Sequence, residues 1–212
     1  MKKEWALWGR ILSVSLFMVF VAFSSAAEAF FLPDTGQTTC YSVKGPLKVV
    51  ECSSPGSSSA QDGSYTINPP SFAGEGFGAA LDNNTGLMWE HRSSDVAKAC
   101  DEAFDYCNDL TLGGFTDWRL PTNKELVTIM DYEHYDPALN PNAFLGPIGD
   151  YYSSTSSAHY ASTIFAVSTY DGLSVIHPCV EYNLAYVRCV RGDQLIFNDF
   201  IERGDGTVTD VA

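Results

Sequence analysis

Gly113-Gly114-Phe115-Thr116-Asp117-Trp118-Arg119-Leu120-Pro121-Thr122-Asn123-Lys124-Glu125-Leu126 joins the end of one helix to the start of another. Thr122 and Glu125 stand three apart, the spacing at which each side chain can satisfy the other's backbone N–H. Leu126, Ile129 and Met130 then give the second helix a stripe for burial. Upstream, Val96, Ala99, Cys100, Ala103, Phe104, Cys107 and Leu110 recur at i, i+3, i+4 and i+7. That pattern predicts a first helix over Asp95–Leu110, capped by Ser94 and ended by Gly113-Gly114. A strand at Leu87–Glu90 precedes the pair. After Tyr132 come short β-branched and aromatic runs at Tyr151–Ser154, Ile164–Thr169, Leu173–Ile176 and Ala185–Arg191, read as strands. Strand, helix, helix and then several strands is an α+β order, with a mainly antiparallel sheet.

The ends are different in texture. Lys2, Lys3 and Arg10 lead into the uncharged run Ile11–Phe23 and then Ala27-Glu28-Ala29, so residues 1–29 read as a secretory signal peptide, with the mature chain starting near Phe30. The apolar run is shorter than the roughly 20 residues of a membrane-spanning helix, so no stable membrane insertion is expected after cleavage. No cysteine follows the cleavage site to carry a lipid. Without that leader, three of 12 basic and two of 26 acidic residues are gone, leaving 9 against 24 and a net charge of −15. Such a field repels nucleic acid, anionic membrane and sulfated polysaccharide, and leaves proteins, neutral glycans or cations as partners.

Six cysteines behind an export signal read as a disulfide framework. Cys40 and Cys52 flank the turn signal Lys44-Gly45-Pro46, which predicts a stapled hairpin within residues 30–71, followed by a flexible linker over Ser53–Gly63. Cys100 and Cys107 cannot pair with each other, being ~10.5 Å apart along a helix. The residues alone leave the other pairings open, including Cys179 with Cys189 and two free helix thiols. From Phe72 the composition becomes globular, and residues 72–199 suffice for one core. Phe72, Gly76, Gly78 and Asp82 return at a constant offset as Phe200, Gly204, Gly206 and Asp210, so residues 200–212 read as the start of a second, truncated repeat.

The opening stretch resembles, together with Leu81-Asp82-Asn83-Asn84-Thr85-Gly86-Leu87-Met88-Trp89-Glu90 and Tyr186-Val187-Arg188-Cys189-Val190-Arg191-Gly192, the Legionella collagen-like protein C-terminal domain family. The resemblance implies an exported bacterial module, often in tandem, with a C-type-lectin-like fold; most members have no assigned biochemical activity. In that fold a disulfide ties the end of the first helix to the last strand, which implies Cys107–Cys189 here and leaves Cys100 for Cys179.

No catalytic constellation is visible. His91, His134, His159 and His177 stand in no triad context, and neither Gly-x-Ser-x-Gly nor His-Glu-x-x-His occurs. Formylglycine-generating enzymes share the broad fold and use cysteines chemically, but none of their surrounding sequence is visible here. The calcium loop of sugar-binding lectins has only misplaced echoes in Asn140-Pro141-Asn142 and Phe197-Asn198-Asp199. Asp82, Asn84 and Gly86 imitate an EF-hand start, but Ser93 stands where its glutamate belongs, so a turn is expected there. No metal, cofactor or catalytic residue is assigned. Trp89, Trp118, Arg119, Arg188 and Arg191 are expected to be scaffold, packing indoles and tying down loop carbonyls with guanidinium groups.

Asp150–Tyr186 is rich in tyrosine and serine, the mixture that binding loops favour. Tyr151, Tyr152, Tyr160, Tyr170, Asp171 and Tyr182 are the candidate ligand contacts. The sequence therefore points to a non-enzymatic recognition module for a protein or neutral glycan. A purely structural module of an exported array is the main alternative, and an enzyme of the formylglycine-generating type a remote one.

Overall fold

The computed structural model describes residues 32–195, 200–202 and 208–210; the expected signal peptide lies outside them. In chain order the elements are β1 (Cys40–Tyr41), β2 (Val49–Val50), β3 (Phe72–Gly76), β4 (Ala79–Asp82), β5 (Met88–Glu90), α1 (Cys100–Asn108), α2 (Asn123–Thr128), β6 (Asp150–Ser156), β7 (Thr163–Ser168), β8 (Ser174–Pro178), β9 (Val190–Arg191), β10 (Phe200–Glu202) and β11 (Val208–Asp210). A four-stranded antiparallel sheet runs β3-β4-β5-β9 and a three-stranded one β6-β7-β8. This is the expected α+β arrangement.

The α2 boundary falls where its capping residues put it. Thr122 Oγ1 accepts from Glu125 N at 3.2 Å and Glu125 Oε2 accepts from Thr122 N at 2.8 Å, while Leu126, Ile129 and Met130 are buried. The first helix is shorter than its periodicity predicts, beginning at Cys100 rather than Asp95. Ser94 does not cap it. Its backbone N–H donates to Val187 O and its hydroxyl accepts from Val187 N, and Lys98 exchanges both backbone bonds with Ala185. The segment before α1 is thus held extended against the return chain, and Val96 is exposed. Glu102 instead accepts from Ala99 N at 3.0 Å to close the helix start.

Two clusters make the core. One gathers Trp89, Leu126, Ile129, Met130, Phe144, Tyr151, Val167 and Val190; the other gathers Cys100, Ala103, Cys107, Trp118, Leu120, Tyr152, Ala166, Val187 and Cys189. Successive residues of a strand face opposite ways, so adjacent Tyr151 and Tyr152 send one ring into each cluster. Both faces of β6 are covered. Three disulfides, Cys40–Cys52, Cys100–Cys179 and Cys107–Cys189, use every cysteine; the second and third fasten the start and end of α1.

Residues 32–71 are attached rather than pendant. Glu133 accepts from Thr38 N at 2.6 Å, Thr39 N at 3.1 Å and the Thr39 hydroxyl, and Thr35 O accepts from Tyr132 N at 2.8 Å. The expected linker is also tied back, because the Gln61 amide accepts from Tyr41 N and donates to Tyr41 O.

The first and last residues of the repeated motif pair antiparallel in both copies. Phe72 pairs with Asp82 across β3–β4, and Phe200 pairs with Asp210 across β10–β11. In the first copy the motif glycines, Gly76 and Gly78, both take positive φ around the turn, at 70° and 87°, which glycine adopts without a steric penalty. Among the described residues the second ribbon pairs with no other strand. Deleting residues 200–212 should therefore move Tm by no more than about 2 °C, since among the described residues the ribbon extends neither sheet of the core. A larger fall in a thermal melt would show that the ribbon supports the domain.

Candidate functional site

The motif arginines are engaged within the fold. Arg119 makes a two-pronged bond to Glu125, Nη1 to Oε2 at 2.9 Å and Nη2 to Oε1 at 2.8 Å, and reaches Gly192 O at 3.3 Å. Glu125 is fully buried and also accepts from Leu195 N at 3.0 Å, so one carboxylate locks α2 to the loops on either side. Arg191 pairs with Asp117 at 2.9 and 3.0 Å while lying 3.7 Å over the Phe115 ring. Arg188 ties down three carbonyls, as expected; for Arg119 and Arg191 a carboxylate is the main partner instead. The Trp118 indole donates to Leu112 O at 3.3 Å.

Burial pushes the Glu125 carboxyl up, but the Arg119 guanidinium and the Thr122 and Leu195 N–H groups outweigh it and leave it below the ordinary glutamate range. A carboxylate depressed on folding stabilises the fold above its unfolded pKa, about 4.3, and loses that contribution as pH falls through the lowered folded value. Glu125→Gln should be less stable than the parent at pH 7, and the gap should narrow below about pH 4. Urea unfolding at pH 7 and pH 3 measures it; a gap that does not change with pH would assign the effect to shape alone.

The six candidate ligand contacts do not form one face. Tyr151 and Tyr152 are 1 % and 0 % exposed, with hydroxyls spent on Pro147 O and Asn183 O; this corrects their assignment, because neither ring has surface to offer. The remaining four divide between the two ends of the β6-β7-β8 sheet. Tyr160, beside His159, and Tyr182 stand in the β6–β7 and post-β8 loops, exposed at 53 % and 87 %. Tyr170 and Asp171 stand in the β7–β8 turn at the opposite end.

That second end carries a cluster the sequence did not single out. Tyr135 meets Tyr170 edge to face at 4.4 Å, and hydrogen bonding with Tyr170 pushes the Tyr135 hydroxyl up to about 12. Asp136 N donates to Tyr170 O at 2.9 Å and Ala138 N to Thr169 O at 2.7 Å, fastening the two loops together. Tyr132 closes the cluster, donating its hydroxyl to Gly172 O at 3.1 Å. Gly172 has φ 78°, and a Cβ there would lie 2.7 Å from the Tyr132 ring, so the turn admits only glycine beside it. Three partly exposed tyrosines and the carboxylates of Asp136 and Asp171 thus share one corner. The signal in the sequence is Tyr132-Glu133-His134-Tyr135-Asp136, aromatic and acidic residues just beyond a helix end.

The other chemistry is local. His177 bonds Asp150 through Nε2 at 2.8 Å and Asn183 through Nδ1 at 3.2 Å, so no nucleophile sits at either ring nitrogen. Asp82 accepts from Asn84 N and the Thr85 hydroxyl and so folds the turn before β5. Among the described residues no group of three or more His, Cys, Asp or Glu is placed to hold a metal ion.

The class of molecule is a disulfide-bonded α+β domain whose motif arginines serve its own loops and which carries Tyr132, Tyr135 and Tyr170 at one exposed corner. The model of the Lcl C-terminal domain family matches residues 78–191, and the chain belongs to that family. No curated protein and no solved structure matches it.

Proposed function

We propose that the chain is an exported, non-enzymatic recognition module that binds a protein or a neutral glycan at the bacterial surface through the corner formed by Tyr132, Tyr135 and Tyr170. The clustering of these rings beside Asp136 and Asp171 carries the reading, since tyrosine supplies broad amphipathic contact at low entropic cost. Export is supported by three disulfides, which persist in oxidising compartments, and among the described residues no helix is long and apolar enough to cross a membrane. A C-type-lectin-like fold belongs to the same proposal, supported by the Cys107–Cys189 bridge between the end of α1 and the residue just before β9. An enzyme of the formylglycine-generating type would need a reactive cysteine, and mapping free thiols in the purified chain tests that alternative.

Glycan and protein arrays, probed with and without calcium, test the proposal. Tyr135→Ala with Tyr170→Ala should weaken binding of any captured ligand roughly a hundredfold while Tm holds, because binding energy concentrates in a few aromatic anchors. Unchanged capture by the double variant would remove this corner from recognition. Loss of capture by Tyr160→Ala or Tyr182→Ala instead would move the site to the other end of the sheet.

A further inference from the structure

The outer side of α2, the segment leading to β1 and Tyr132 enclose a pocket of about 290 Å³. Leu32, Pro33, Val127, Met130 and Tyr132 give it an apolar wall. Met130 is buried and lies at the inner end, whereas Leu32 and Tyr132 are 58 % and 36 % exposed and lie at the mouth. Tyr132 is held there from three directions, by Thr35 O on its backbone N–H, by Gly172 O on its hydroxyl and by Gly172 against its ring. It is also the ring that closes the tyrosine corner, so pocket and corner are one continuous surface.

The volume sits at the bottom of the ~300–1,000 Å³ range of small-molecule sites and suits one large apolar side chain. A pyranose would need several directed hydrogen bonds, whereas the polar lining side chains Asp34, Thr35, Asn123 and Thr128 already bond within the fold. Around the pocket and corner stand the acidic side chains of Asp34, Glu133, Asp136 and Asp171, against the basic or titratable ones of Lys124 and His134. The surroundings are net acidic, and so complement basic flanks on a partner.

We infer that this pocket receives a single aliphatic or aromatic side chain of a protein partner, presented by a segment flanked with Lys or Arg, while Tyr135 and Tyr170 cover the rim. The inference rests on the reading of the corner as a binding face and narrows its ligand from protein or glycan to protein. An anchor side chain filling a desolvated pocket, ringed by aromatic contacts, is the usual core of such an interface.

The probes are acetyl-Lys-Lys-X-Lys-Lys-amide peptides with X as Leu, Phe or Ala, titrated into the mature chain and followed by amide chemical shifts. Leu and Phe peptides should bind at least roughly tenfold tighter than Ala, the difference an apolar anchor makes in a pocket, and shift Val127, Met130 and Tyr132. Val127→Phe, which fills the pocket, and Leu32→Ser, which changes an exposed wall residue and leaves the core alone, should each remove the preference for Leu and Phe. Equal binding of the three peptides, shifts confined to other residues, or a preference that survives both variants would overturn the inference. If array ligands are lost in the Tyr135 and Tyr170 variants while the peptides show no preference, the pocket assignment fails and the recognition corner stands. If array ligands survive those variants, the corner itself fails.

Discussion

Arg188→Ala is expected to destabilise the domain by about 3–5 kcal/mol, the range for stripping one partner from a buried charged network. The residue is 1 % exposed. Its Nη1 donates to Glu90 O at 2.6 Å and His91 O at 2.9 Å, and its Nη2 to Leu145 O at 2.9 Å. The guanidinium lies 5.0 Å from the Phe144 ring centre and 5.6 Å from that of Tyr151. Alanine would take a donor from Glu90 O, where an unsatisfied buried carbonyl costs about 1–3 kcal/mol, would leave His91 O and Leu145 O with only the Leu145 and Ser93 N–H groups, and would open a hole between two rings. Arg188→Lys should recover only part of the loss, because one ammonium cannot span acceptors that a planar fork reaches from two nitrogens. Equilibrium unfolding in urea measures both. A loss under about 1 kcal/mol for alanine would mean that water satisfies the carbonyls and the arginine is dispensable.

Trp118→Ala should cost about 3–5 kcal/mol, the range for removing a large buried aromatic. Trp118 is 2 % exposed and packs in the cluster that contains both cysteines of the Cys107–Cys189 bridge, with Leu120, Tyr152 and Val187. Its removal opens a cavity where α1 meets the return chain and leaves the Leu112 carbonyl with the Phe115 N–H alone. The same melts run on the Tyr135 and Tyr170 variants should show no change. Early melting of the tyrosine variants, with a folded Trp118→Ala chain that no longer binds, would exchange scaffold and site.

What could be read from the sequence was local, and what could not was set by distant partners. Thr122 and Glu125 announced α2 because both halves of the cap lie within four residues. The start of α1 was misplaced because Ser94 and Lys98 are claimed by Val187 and Ala185, whose positions a helical period cannot reveal. Arg188 was legible as scaffold only in kind, since its acceptors lie 43 to 98 positions away. Alternation along a strand assigns a face but does not tell whether that face is covered, and with both faces of β6 packed, Tyr151 and Tyr152 were lost to the core. Nor does composition say at which end of a sheet a turn lies; the antiparallel run of β6, β7 and β8 separates Tyr160 and Tyr182 from Tyr170 and Asp171. Tyr132 and Tyr135 joined the last two through chain folding alone.

The pair of bridges at the two ends of α1 has a mechanical consequence. Cys100–Cys179 and Cys107–Cys189 close loops of 79 and 82 residues, so tension applied along the chain passes from the start of α1 across covalent bonds to the strand end without entering the segment between them. About 82 residues at ~3.4 Å each, roughly 280 Å of contour, stay shielded even if every weak interaction in the domain gives way. Stretched between its ends, the molecule can lengthen only through the flanking segments, and it keeps α2, the β6-β7-β8 sheet and the tyrosine corner inside a covalently closed ring. A pulled chain would have to lose a disulfide before force could reach α2, the β6-β7-β8 sheet or the tyrosine corner.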